Sequence, residues 1–189
     1  MEIATNFQVE GRIKRVVIIL CALLLSLSCK KDEDNETLPP LTTIGAGSFG
    51  FLLNNEVWLP KQMRFPIFPS PSEFDCNYFP ESGRLWISAR REYNDSIKYE
   101  DIYLEVYSIF HTGQYSFDNV EYGNTSFERV YTDQSTVRYS VKEFLTNNCE
   151  IMFLDTTQKI ISGTFNISLF SPTTNKRIDI TNGIFDLKY

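Results

Sequence analysis

From Ser48 onward the apolar residues recur at every second position, not every third or fourth, and that period commits the chain to extended strands. In Tyr99–Phe110, Ile102, Leu104 and Val106 alternate with Tyr103, Glu105 and Tyr107. Arg84–Arg90 places Leu85, Ile87 and Ala89 on one face and Trp86 and Ser88 on the other. In Lys159–Phe170, Ile161, Gly163, Phe165, Ile167 and Leu169 share one side. Ser48–Leu53 and Glu56–Leu59, joined by Asn54–Asn55, read as a hairpin. Gly113–Phe117, Ser126–Thr132, Thr136–Val141, Cys149–Leu154, Asn175–Ile180 and Ile184–Tyr189 read as further strands, with Asn182–Gly183 as a turn before the last.

Nine to eleven short strands predict an all-β domain, an antiparallel β-sandwich or partly closed β-barrel with one or two short connector helices. The helical candidates are Ser140–Asn147, where Ser140 and Glu143 form a capping box, and Pro71–Phe74. A transmembrane barrel is not expected, because no regular series of outward apolar bands is present. The stretch Pro60–Pro80 breaks the pattern. It holds five prolines, which keep it out of a central ladder, and between them Phe65, Phe68, Phe74, Tyr78 and Phe79, which require burial or a partner.

The first 28 residues are of another kind. Arg12, Lys14 and Arg15 precede thirteen uncharged residues, Val16–Ser28, too short as a helix for the roughly 30 Å hydrocarbon core. With the following Cys29 and the stretch Lys30–Glu36, this resembles the leader of a bacterial lipoprotein and the export signal of surface lipoproteins in Bacteroidetes-type bacteria. The resemblance implies cleavage before Cys29, acylation of Cys29, and a lipid-anchored outer-membrane protein exposed on the cell surface. Residues 1–28 are then a signal peptide, 29–42 a flexible acidic tether and 43–189 a single domain.

Leu38–Pro60 also resembles the opening of an uncharacterised Bacteroidetes lipoprotein family. Leu38, Pro39, Pro40, Thr42, Gly45, Phe49, Gly50, Asn54, Trp58 and Pro60 match its pattern, and Ile161–Phe170 and Ile180–Tyr189 resemble its closing strands. Phe51 stands where a cysteine is common and Asn55 where the turn glycine is usual. The family has no established activity, so the resemblance bears on location and fold.

The chemistry in the sequence is sparse. The net charge of −6 over 189 residues without a basic run disfavours nucleic acid as a partner. A single histidine, His111, excludes a His-pair metal site, and no metal or other cofactor is expected. With Cys21 in the leader and Cys29 acylated, Cys76 and Cys149 remain. They form either one disulfide, the preferred reading, or two separately buried thiols. No serine lies in a nucleophile elbow. Paired carboxylates are the remaining route to catalysis, and Glu105 shares its face with Tyr103 and Tyr107, a combination suited to sugar.

The expected role is therefore a non-catalytic module that binds a glycan, a peptide or another envelope protein. Its candidate contacts are Phe65, Phe68, Phe74, Tyr78, Tyr103 and Tyr107. The alternatives are a glycan-acting hydrolase with paired carboxylates and a structural accessory subunit of an envelope complex.

Overall fold

The structure, a computed structural model, describes residues 36–62, 73–117, 125–142 and 145–189. Among them run eleven strands, all paired antiparallel: β1 Ser48–Leu53, β2 Glu56–Trp58, β3 Phe74–Phe79, β4 Arg84–Glu92, β5 Ile97–Val106, β6 Gly113–Ser116, β7 Ser126–Tyr131, β8 Thr136–Val141, β9 Asn147–Asp155, β10 Ile160–Ser171 and β11 Lys176–Lys188. They belong to one sheet, ordered β2-β1-β11-β10-β8-β7-β5-β4-β3, with β9 and β6 branching from β10.

One curled sheet, a half-barrel, replaces the expected sandwich. Its two ends approach each other: Lys61, just after β2, bridges Arg91 of β4 through Lys61 N–H to Arg90 O (3.0 Å) and Glu92 N–H to Lys61 O (2.8 Å). The inner face is filled by aromatic rings. Phe51 stacks on Trp58 at 4.6 Å, Phe49 on Phe165 at 5.8 Å, and Phe127 meets the edge of Trp58 at 6.4 Å.

The connector helices are a second correction, since no helix occurs among the described residues. Ser140 and Val141 end β8, Asn147 opens β9, and Glu143 lies outside the described residues. Tyr139 is buried opposite Phe127, so residues up to Val141 hold strand register and cannot start a helix. Likewise Phe74 opens β3, and Pro71 is outside the described residues. β3 is the edge strand next to the proline-rich stretch, the position at which neighbouring proline does least harm to a ladder.

Asn182–Gly183 is not a turn but a bulge inside β11. Phe165 pairs with Gly183 and Ile167 with Ile180, so Asn166 faces two residues. Asn182 takes φ +51° and donates its N–H to Asn166 Oδ1 at 3.0 Å. The extra residue resets the alternation, so Ile178 and Ile180 before it and Phe185 and Leu187 after it all point into the core. Gly183 lacks a side chain because the Phe165 ring lies where its Cβ would be.

The expected disulfide is absent, and Cys76 and Cys149 are free thiols. Cys76 faces Ile87 from β3, whereas Cys149 sits on β9 between Phe165 and Tyr115, so they enter the core from strands that do not adjoin. Burial pushes each thiol up to about 12. Alkylation followed by peptide mapping at pH 7.5 should leave both unmodified in the native protein and modify both in urea, with an unfolding midpoint indifferent to reductant.

The folded unit begins at Glu36, which pairs with Arg91 at 2.8 Å. Leu38 and Pro39 lie over Gly50 of β1. Residues 42–46 then wrap the carboxylate of Asp186, which has no exposed surface. It accepts from Thr42 Oγ1, from the N–H groups of Ile44 (3.2 Å), Gly45 (2.9 Å) and Ala46 (3.1 Å), and from Ser162 Oγ (2.5 Å). Burial opposes the charge, but the bonds from Ser162, Thr42, Ala46 and Gly45 outweigh it and hold the group at about 2. A depressed carboxylate contributes stability above its ordinary value near 4 and loses it as the pH falls towards 2, here about 2 kcal/mol. Asp186→Asn should cost about 2–4 kcal/mol at pH 7. Urea titrations at pH 7 and pH 2.5 should show a smaller acid loss in the variant than in the parent.

Candidate functional site

The side of β3, β4 and β5 that faces away from the core carries the residues with chemistry. Because successive side chains of a strand alternate, burial of Leu85, Ile87 and Ala89 sends Arg84, Trp86, Ser88 and Arg90 to the outer face. Burial of Ile102, Leu104 and Val106 does the same for Asp101, Tyr103, Glu105 and Tyr107. Strand register then aligns the two sets, with Trp86 beside Glu105, Ser88 beside Tyr103 and Arg90 beside Asp101.

Two guanidinium–carboxylate pairs organise this face. Arg90 binds Asp101 through two parallel bonds, Nε to Oδ1 at 2.7 Å and Nη2 to Oδ2 at 2.8 Å, and lies 4.0 Å over the Tyr99 ring. Its hydrogen bonding to Asp101 raises the guanidinium further above its ordinary value. Arg84 brings Nε and Nη2 to Glu105 Oε1, each at 2.5 Å, and lies 5.6 Å from the Phe79 ring centre and 6.0 Å from that of Tyr107. Both carboxylates are nearly withdrawn from solvent, while both arginines stay about 40% exposed. Burial, then the neighbouring carboxylate, raises the Tyr103 and Tyr107 phenols, so both stay neutral donors at physiological pH.

Between the first pair and β3 lies a groove of about 260 Å³. Gln62, Glu73, Phe74, Asp75, Ser88, Ala89, Arg90, Glu92, Asp101 and Tyr103 line it. The candidates Phe65 and Phe68 lie outside the described residues, as does Cys29. Of the other candidates, Phe74 borders the groove but packs against the core from the inner side of β3, whereas Tyr103 lines the groove and Tyr107 is on the same outer face. Tyr78 is separated from them. It points into the core, with its hydroxyl donated to Ile109 O at 2.6 Å and its ring against Tyr189 at 5.1 Å. Sequence reasoning did not single out Arg84 or Arg90, although their strand parity puts them beside Tyr103 and Tyr107.

The two thiols at about 12 are poor nucleophiles. His111 lies in an exposed bend between β5 and β6, with Nδ1 2.8 Å from Thr112 O. Asp101 and Glu105 stand four residues apart on one strand, roughly 13 Å, beyond the separation over which two carboxyl groups share a glycosidic bond. Asp101 and Glu128 are direct cross-strand neighbours, in the row Arg90–Asp101–Glu128–Arg138 across β4, β5, β7 and β8. An arginine at each end of this row engages each acid, Arg138 reaching Glu128 at 3.2 Å. Comparison of the chain with protein-family models, with curated proteins and with solved structures gives no match.

Proposed function

We propose that this chain is an envelope lipoprotein, held at the outer membrane by acylated Cys29 and exposed on the cell surface, whose half-barrel is a non-catalytic glycan-binding module. The observation that carries the binding reading is the outer face of β4 and β5. Trp86, Tyr103 and Tyr107 offer ring surfaces for the apolar faces of sugar rings. Arg84 and Arg90, held by the carboxylates paired with them, offer hydrogen-bonding groups whose geometry is set before a ligand arrives. The interior offers no comparable space along the Phe49, Phe51, Trp58, Phe127 and Phe165 stack, whose members are at most 3% exposed. The adjacency of Asp101 and Glu128 favours one second reading, a glycan-acting hydrolase.

Screening the protein on a broad glycan array should reveal saturable binding without release of reducing sugar. Trp86→Ala and Tyr103→Ala should each weaken it about tenfold, near 1.4 kcal/mol. Absence of saturable binding would overturn the module, and sugar release lost in Asp101→Asn would establish the hydrolase instead. Independently, Cys29→Ala should move the protein from the membrane fraction to the soluble one, and unchanged membrane retention would remove the anchor.

A further inference from the structure

A second groove, of about 420 Å³, opens on the outer face of β10 and β11 beside the Asn54–Asn55 turn. We infer that it is a separate binding site for a sugar bearing an N-acetyl group, independent of the β3–β4–β5 face. The turn itself is tight, with Asn54 at φ +50° and Asn55 at φ +71°, and it brings the Asn54 side chain back onto β11. There Asn54 Oδ1 accepts the N–H of Asp179 at 3.0 Å. The β11 bulge does the same for Asn166, whose Oδ1 accepts the N–H of Asn182 at 3.0 Å.

Each backbone N–H fixes which end of its asparagine amide is oxygen. The oxygens are therefore occupied, and the two Nδ2 groups are left as donors on the groove wall, with no protein partner among the described residues. The acceptor beside Asn54 is equally well defined. Asp179 Oδ1 takes Ser168 Oγ at 2.5 Å and Arg177 Nε at 2.7 Å, while Oδ2 has no protein partner among the described residues. Those bonds, acting against the burial of the group, keep the Asp179 carboxyl below its ordinary value and therefore ionised.

A wall holding fixed amide donors and one ionised acceptor is complementary to a secondary amide, whose carbonyl takes Nδ2–H and whose N–H meets the carboxylate. Peptides carry the same group. Eight of the ten lining residues are polar, however, and Ile167 and Ile180 direct their side chains into the core. Thr146 and Thr181 add hydroxyls suited to sugar hydroxyls.

The test is calorimetric titration of the full-length protein with N,N′-diacetylchitobiose. Asn54→Asp and Asn166→Asp keep an oxygen that accepts the backbone N–H and replace the donor with a second, charged oxygen, so the turn and the bulge stay bonded and melting temperatures should hold. Each should weaken the disaccharide at least tenfold, while Tyr103→Ala leaves its affinity unchanged. Deacetylated chitobiose should bind at least tenfold more weakly than the acetylated form. Equal affinity for the two disaccharides, no loss in either asparagine variant, or tighter binding of trialanine than of the sugar would overturn the assignment. Loss in Tyr103→Ala alone would place the sugar on the first face and also overturn it.

Discussion

A carboxylate inside an aromatic core has to be surrounded by donors, and at Glu100 those donors come from strands far apart in the sheet. Trp58 Nε1 reaches it at 2.8 Å from β2, Tyr93 Oη at 2.6 Å from the β4–β5 turn, and Arg129 Nε at 2.6 Å from β7. Only 1% of Glu100 is exposed, so each donor answers a desolvation cost that would otherwise be several kcal/mol. Trp58 is on the first strand of the sheet order, while Glu100 is on the third strand from the other end. The indole–carboxylate bond spans the interior and joins the two margins of the curl. Its ring, stacked on Phe51 and edge-on to Phe127, is thereby fixed in the middle of the core.

The outer face follows from that closure. Once the inner residues of β4 and β5 are committed to the aromatic core, their neighbours in sequence have no choice of side. The arginines then settle on the two deeply placed acids, Asp101 and Glu105, and the tyrosines and Trp86 fill the space between. The result is a surface whose polar groups are neutralised in pairs, without a strong net field.

Much of this was legible in the alternation of residues. The parity of Leu85, Ile87 and Ala89, of Ile102, Leu104 and Val106, and of Ile161 to Leu169 anticipates which side of each strand is buried. The pairing of Tyr103 and Tyr107 with Glu105 anticipates the outer face. Other features were hidden because they depend on contacts between distant segments. β3 lies within a stretch whose prolines mask its period. The Asn182–Gly183 pair carries the same local preference for left-handed backbone whether it makes a turn or a bulge, and only the facing Phe165 ring and Asn166 side chain select the bulge. Spacing alone could not say that Cys76 and Cys149 approach the core from strands that do not touch. The second groove draws on a turn and two strands over a hundred residues away, and no run of sequence announces it.

The fastening of residues 42–46 to Asp186 also has a mechanical consequence. Gly47 N–H binds Asp186 O at 2.9 Å, and β1 follows at once in antiparallel register with β11. Tension applied at Glu36 is delivered to several hydrogen bonds around one carboxylate and then along β1 in shear, where bonds must yield together and not one after another. A domain built this way keeps its shape when its amino-terminal end is held under load.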